Sequence, residues 1–407
     1  MAKYLFKLSI LLVISLFTTN TQAQTCGKWV MGYLPTYQQN NDGTTSYLTS
    51  TEYSKLTHLM SFGPYAKSDG SLDMVVNTST SLRLAGAVAA AHANNVPVIL
   101  SISSWVTDYL PALQNTSIRN ILINNILALF DTYHYDGIDI DLEPIMSPYV
   151  AGIQTSNPDY ITFINMLYDS LQTRNSTFLN RKPLLTVAAN GYAAPVLSQL
   201  QAKFDMINIM TYDLAGVYPG WVSWHDSPVY SGGNTMPSTG NPMPSVDGEM
   251  QICLSNGISP AKLGIGVSFD AFRWKGGSGT STGGVTAPMQ AYTTDPTWTR
   301  FTYSEFYQNY YNASYYHYDN NAQMSYLSID NATDANDEFW SYNDKTSIED
   351  KMKYVWSKNL GGVIIWELKG GYIPGSQIPQ LNYIQAANCQ LQTSTCKICG
   401  PVTIEKQ

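Results

Sequence analysis

Short apolar runs rich in β-branched residues alternate along this chain with stretches whose apolar residues recur at helical spacing. The runs are Trp29–Tyr33, Leu56–Phe62, Val96–Ile102, Asp136–Glu143, Leu184–Ala189, Phe204–Thr211, Leu263–Val267 and Gly361–Trp366. At five to eight residues each, they have the length of strands rather than helices. Between them, Ser81–Asn94 is alanine-rich and Ile118–Phe130 repeats apolar residues at helical spacing. Asp159–Arg174 puts Tyr160, Phe163, Ile164, Leu167 and Leu171 on one helical face. Eight strands alternating with helices predict an α/β fold, a parallel sheet closed into a (β/α)8 TIM barrel. An open doubly wound sheet would need a nucleotide-type glycine-rich turn after its first strand, and Gly32-Tyr-Leu-Pro35 is not one.

The interval between the seventh and eighth runs, residues 268–360, is far too long for one βα unit. It is rich in Tyr, Asn, Gly and Thr, and predicts an inserted α+β lobe between strands 7 and 8, over residues 276–343 and beside the barrel mouth. The barrel then takes residues 24–275 and 344–390, and residues 391–407 form a Cys-containing C-terminal tail. Residues 1–23 read as a secretory signal peptide: Lys3 and Lys7, the apolar stretch Leu8–Phe17, then polar Thr18–Gln22 and the small Ala23. The apolar stretch is too short to span a bilayer. Secretion, to an extracellular or periplasmic space with cleavage near Ala23, is therefore expected. Five cysteines suit an oxidising compartment, with Cys26 near the start and Cys389, Cys396 and Cys399 clustered near the end. No second close Cys or His pair accompanies Cys396 and Cys399, so a tail disulfide is expected rather than a metal site. Asn77, Asn115, Asn175, Asn312 and Asn331 stand in glycosylation sequons, which matter only in a host that glycosylates asparagine.

Charge narrows the function classes. With 22 basic against 30 acidic residues the formal charge is -8, which argues against nucleic acid as a partner. A sparsely charged chain with 29 Tyr and 9 Trp suits a neutral polar ligand with apolar faces, such as a sugar, although aromatics also fill cores.

The fourth run carries the chemistry. Residues alternate faces along a strand, so Ile138, Ile140 and Leu142 share one side, and Asp139, Asp141 and Glu143 the other. In a barrel the apolar side packs on the helices. The acidic side points inward and climbs toward the C-terminal rim, where active sites sit. Three carboxylates in a row there are too costly to be a packing choice. An exposed edge strand would show more polar variety, and a Ca or Mg site would recruit loop carbonyls and ligands off one line. Burial and the neighbouring Asp141 should raise the pKa of Glu143 and keep it protonated near neutral pH, as a proton donor for breaking an acetal must be.

Asp136-Gly-Ile-Asp-Ile-Asp-Leu-Glu143 resembles the Asp-Gly-x-Asp-x-Asp-x-Glu signature of family-18 glycoside hydrolases, the chitinase family. Met210-Thr-Tyr-Asp213 is similar to the family's Met-x-Tyr-Asp motif, and Gly362-Val-Ile-Ile-Trp366-Glu367 to its eighth strand. Ser341-Tyr-Asn-Asp344, with Ser347 and Lys351, resembles the end of the family's inserted lobe. The resemblance implies substrate-assisted, retaining hydrolysis. Glu143 would protonate the glycosidic oxygen, and the acetamido oxygen of the sugar would attack its own anomeric carbon. Asp141 would orient the acetamido group, Asp139 would support Asp141, and Tyr212 would hydrogen-bond the acetamido oxygen. Asp213 would bind a sugar hydroxyl and Trp366 would offer its face to the ring. Met210, Tyr33, Phe62, Trp105 and Asp136 complete the expected binding residues. No cofactor or metal is expected, and neither is a nucleic acid or a membrane. The expected partner is chitin or a chito-oligosaccharide, bound by a monomer. Endo-acting hydrolysis of β-1,4-linked N-acetylglucosamine is the leading expectation. The alternatives are an endo-β-N-acetylglucosaminidase acting on N-glycans and a non-catalytic chitinase-like lectin.

Three departures from the family pattern touch the site. Ser101-Ile-Ser103-Ser104 stands where Ser-x-Gly-Gly is usual, Pro144 where an aromatic often follows the acid, and Asp270-Ala271 where Tyr-Gly is common.

Overall fold

Eight parallel strands close on themselves in the computed structural model, which describes residues 27–154, 156–218 and 220–392. They are Trp29–Pro35, His58–Ala66, Val98–Trp105, Gly137–Glu143, Leu184–Ala189, Met206–Ile209, Leu263–Ser268 and Gly362–Trp366. Each pairs with its neighbours in chain order. The first strand shuts the ring by pairing with both the last and the second, Trp29 opposite Gly362 and Met31 opposite His58. This is the (β/α)8 TIM barrel that the alternating pattern predicts. The expected signal peptide, with Cys26, Cys396 and Cys399, lies outside the described residues.

The outer shell carries most of the core. Ile138, Ile140 and Leu142 are fully buried against helical residues such as Leu122, Ile126, Phe163, Ile164 and Leu167. Each such side chain contributes about 1.5–3 kcal/mol on leaving water. The helix Pro158–Leu171 shows the local logic. Asn157 caps it by accepting from the Tyr160 amide at 3.1 Å, and Pro158 begins it where no amide donor is needed. Its buried residues are Tyr160, Phe163, Ile164, Leu167 and Leu171. Inside the barrel a smaller apolar cluster, including Met31, Met60, Ile99 and Ile364, plugs the lower part. One polar side chain, Asn208, is buried among them, accepting from Trp29 Nε1 at 3.2 Å.

A second sheet of five antiparallel strands interrupts the barrel between its seventh and eighth strands. Its strands are Asp270–Lys275, Thr297–Thr302, Tyr316–Asp319, Met324–Ile329 and Glu338–Tyr342. The first of them starts on the barrel side of the boundary expected at residue 276, separated from the seventh barrel strand by Phe269 alone. The sheet is therefore a direct continuation of a barrel strand. A feature the periodicity did not announce faces it. Between Ile209 and the helix Val246–Ser255 the described chain forms neither helix nor strand. Val222, Trp224 and Met243 of this long loop pack with Trp274, Val285 and Phe339 of the lobe. Lys351 ties the parts together: its buried Nζ donates to Ser227 O at 2.5 Å and to Asn343 Oδ1 at 2.6 Å. Burial pulls this ammonium down to about 7.

Candidate active site

A cleft of about 590 Å³ opens at the carboxyl ends of the barrel strands. Its lining includes Tyr33, Phe62, Trp105, Asp141, Glu143, Met210, Tyr212, Asp213 and Trp366. Asp139 lies beneath it, wholly buried. The fourth strand thus presents its three carboxylates as successive layers, each in a different setting.

In the lowest layer Asp139 accepts three hydrogen bonds: from Tyr33 Oη at 2.9 Å, Ser101 Oγ at 2.8 Å and Thr186 Oγ1 at 2.6 Å. Burial raises its pKa, and the three hydroxyls oppose the rise by solvating the ionised form. One layer up, Asp141 is 7% exposed and is held well above the usual carboxylate range, by burial first and then by the charges of Glu143 and Asp139. Its Oδ1 is buried without a hydrogen-bond partner among the described residues. Glu143 ends the strand at the rim. Burial, then the charge of Asp213, pushes it up to about 7, so it carries a proton through the mildly acidic range. Asp213 is thus a neighbour charge on Glu143 from outside the row of acids, in addition to Asp141, whose own pKa the Glu143 charge raises. The ladder Asp139–Asp141–Glu143 titrates as a coupled set.

Tyr212 and Asp213 follow the sixth strand, just past its last residue Ile209. Tyr212 is buried, and burial followed by the charge of Asp141 holds its phenol well above its ordinary value, so it stays a hydrogen-bond donor. Asp213 has a left-handed backbone, φ 58°, a conformation that costs a non-glycine residue on the order of 1 kcal/mol. The turn is held by its amide, which donates to Asp226 Oδ1 at 2.8 Å, while Asp226 Oδ2 accepts from Ser268 Oγ at 3.2 Å. Trp366, the last residue of the eighth strand, packs against Tyr33 at 5.6 Å and against Phe62 edge-on at 5.1 Å between ring centroids. Those contacts fix the indole as the cleft floor. Trp105, 53% exposed, stands on the rim with its ring free for a ligand.

Asp136 does not belong with them. It precedes the fourth strand, at the end remote from the cleft. There it accepts from the Val98 amide at 2.8 Å and Ser176 Oγ at 2.6 Å, and pairs with His92 Nε2 at 2.7 Å. Its number also shares parity with Ile138, the outward side of the strand. Its place in the motif is structural: it fastens the foot of the strand.

Several lining residues carried no signal strong enough to single them out. Arg300 is the foremost. It sits on the second lobe strand opposite Phe272 and reaches back to Asp270 Oδ2 at 2.5 Å and to Asp213 at 3.7 Å. It is a cation delivered to the carboxylates from the inserted lobe, and nothing in sequence spacing links residue 300 to residue 213. Tyr192 and Asn190 follow the fifth strand, and the rule that rim positions bind ligands could have found them. Glu249 reaches the lining from a helix, its carboxylate accepting from the Gly191 amide at 2.6 Å. Of the departures, Ser103 and Ser104 both line the cleft, and Ser104 Oγ is spent on Ala66 O at 2.6 Å. Asp270, in the position where Tyr is common, is the anchor for Arg300.

The family model for glycosyl hydrolases family 18 matches residues 29–371, which contain every element just described. The chain belongs to glycosyl hydrolase family 18. Chitinase A1 of Niallia circulans is 29% identical over 302 residues, covering 68% of this chain and 41% of that protein. Chitinase B of Serratia marcescens is 25% identical over 451 residues, covering 89% of this chain and 85% of that protein. The chain matches only about two fifths of the length of some relatives, 41% of the Niallia circulans chitinase and 39% of a probable endochitinase of Caenorhabditis elegans. Among solved structures, the group IV chitinase of Ostrinia furnacalis in complex with allosamidin superposes with a TM-score of 0.71 at 20% identity, over 90% of this chain and 100% of that one. A chitinase-like agglutinin of Robinia pseudoacacia superposes at 0.67 and 18% identity, over 88% and 98%. These likenesses establish the shared fold.

Proposed function

We propose that this family-18 member is a secreted chitinase that cuts β-1,4-linked N-acetylglucosamine chains with the substrate's own acetamido group as nucleophile. The observation that carries the reading is the state of the two upper carboxylates. Glu143 sits at about 7 and can deliver a proton to the glycosidic oxygen. Its partner Asp141 lines the cleft and receives no hydrogen bond from the described residues, so its carboxylate is available to accept from an amide. Asp141 then orients the acetamido N–H, and its negative charge grows in value as positive charge develops on the attacking group. Tyr212, whose phenol stays protonated beside Asp141, donates to the acetamido oxygen. Asp139, locked by three hydroxyls, keeps Asp141 facing upward. Trp366 supports the apolar face of the ring, and Asp213 takes a hydroxyl.

A cleft of about 590 Å³ with Trp105 and Tyr192 in its lining favours an oligosaccharide over a single sugar. The test uses chitohexaose, its fully de-N-acetylated counterpart and a high-mannose glycoprotein. Release of short N-acetylated oligomers from the first alone supports the reading. Turnover of the de-N-acetylated chain would refute the acetamido mechanism. A glycoprotein gel shift without chitohexaose cleavage would replace the substrate with N-glycans, and binding without any product would leave a lectin.

A further inference from the structure

One layer above the fully bonded Asp139 lies an unfinished copy of the same arrangement. In the lower layer Ser101 stands in register with Asp139 on the adjacent parallel strand, and its Oγ donates to Asp139 Oδ2 at 2.8 Å. Two residues further along both strands, Ser103 stands in register with Asp141. Strand alternation returns both side chains to the barrel interior, and both residues line the cleft. Yet Ser103 Oγ and Asp141 Oδ1 are each buried without a hydrogen-bond partner among the described residues. Ser103 is 8% exposed, so water offers its hydroxyl little. Buried polar atoms left unpaired are costly and rare. Two of them on neighbouring in-register residues, one a donor and one an acceptor, satisfy each other through a side-chain rotation.

We propose that Ser103 is a positioning residue for Asp141, donating its hydroxyl to one carboxylate oxygen while the other oxygen receives the acetamido N–H of the substrate. This rests on the reading of Asp141 as the group that orients the acetamido. Ser103 touches no reacting atom. It acts by halving the orientations open to the Asp141 carboxylate, as Ser101 does for Asp139. Where the family's usual Ser-x-Gly-Gly is present, no side chain stands at this position.

The test compares the wild-type protein with Ser103→Ala, Ser103→Gly and Ser103→Thr on a fluorogenic chitobioside, with kcat and KM resolved across the pH range. Ala and Gly should lower kcat roughly tenfold or more, the effect of losing a hydrogen bond to a charged group, with KM changed less than about twofold. Thr keeps the hydroxyl and should retain most of kcat. The acid limb should rise in Ala and Gly, because a donor to the ionised carboxylate is gone. Asp139, Glu143, Tyr33, Tyr160 and Tyr212, which act electrostatically with Asp141, are common to all four proteins, so the difference isolates the hydroxyl. Wild-type kcat and pH profile in Ser103→Ala, or Thr falling as far as Ala, would overturn the proposal. Active wild type with unaffected variants sinks only the role of the serine, whereas wild type that leaves N-acetylated substrate intact sinks the functional reading beneath it.

Discussion

Asp213→Asn offers a sharp test of how the acid is tuned. Glu143 is raised from 4.5 to about 7 by two causes, burial first and the charge of Asp213 second. Burial is the larger, so Asp213 supplies less than half of the rise, on the order of one pH unit at most. Arg300, 3.7 Å from Asp213, offsets part of that charge and trims the share further. Asparagine removes the charge and keeps the volume, and Arg300 stays anchored by Asp270 at 2.5 Å. The sign is unambiguous. With a negative neighbour gone, the ionised form of Glu143 is less disfavoured, its pKa falls, and the proton donor is lost at lower pH. The basic limb of kcat/KM, which reports the free enzyme, should move down by about half to one pH unit. Activity should fall more at pH 7.5 than at pH 5.5. The profile is measured on a fluorogenic chitobioside with both proteins in the same buffers. A basic limb that stays in place or moves up would refute this account of the tuning.

Three further outcomes follow from other parts of the fold. Asp136→Ala leaves the buried Val98 amide and Ser176 Oγ without their acceptor, and should cost about 2–4 kcal/mol in urea unfolding while kcat/KM changes less than about twofold. Glu143 has a folded pKa above its unfolded value, so its contribution to stability is fully present below about 4.5 and is lost as pH rises through about 7. Glu143→Gln, which cannot ionise, should therefore unfold at higher urea than the parent at pH 8.5, by about 1–2 kcal/mol, with no such gain at pH 4.5. Lys351→Ala abandons Ser227 O and Asn343 Oδ1 in the interior and opens a cavity, which should lower stability by about 3–5 kcal/mol by the same assay.

Alternation and periodicity made the barrel legible because each element has one apolar side and a regular spacing. The stripe Tyr160, Phe163, Ile164, Leu167 and Leu171 is buried as the 3.6-residue period requires. The two-residue period separates Ile138, Ile140 and Leu142 from Asp139, Asp141 and Glu143. What escaped has no period. The loop after Ile209 packs through Trp224 and Val222 against lobe residues far along the chain. Arg300 enters the site only because its strand pairs with Asp270–Lys275, bringing it to Asp213. Asp136 misled for a different reason: a motif reads as one unit, but it runs the length of the strand Gly137–Glu143, with Asp136 before the strand's first residue and only the carboxyl end meeting the cleft.

Under the proposed mechanism two of the three acids act on the substrate and the third supports them. Asp139 carries three hydroxyl donors and stays fixed. Its neighbour Asp141 has no such set of donors among the described residues, and Glu143 is pushed up to about 7 and keeps a proton below it. The most direct measurement of this division of labour is Glu143→Gln with chitohexaose, followed by isothermal titration and by product chromatography on the same samples. The account predicts binding within a few-fold of the parent protein's affinity and no product from the variant, with product from the parent. Product release from Glu143→Gln at the parent's rate would contradict it.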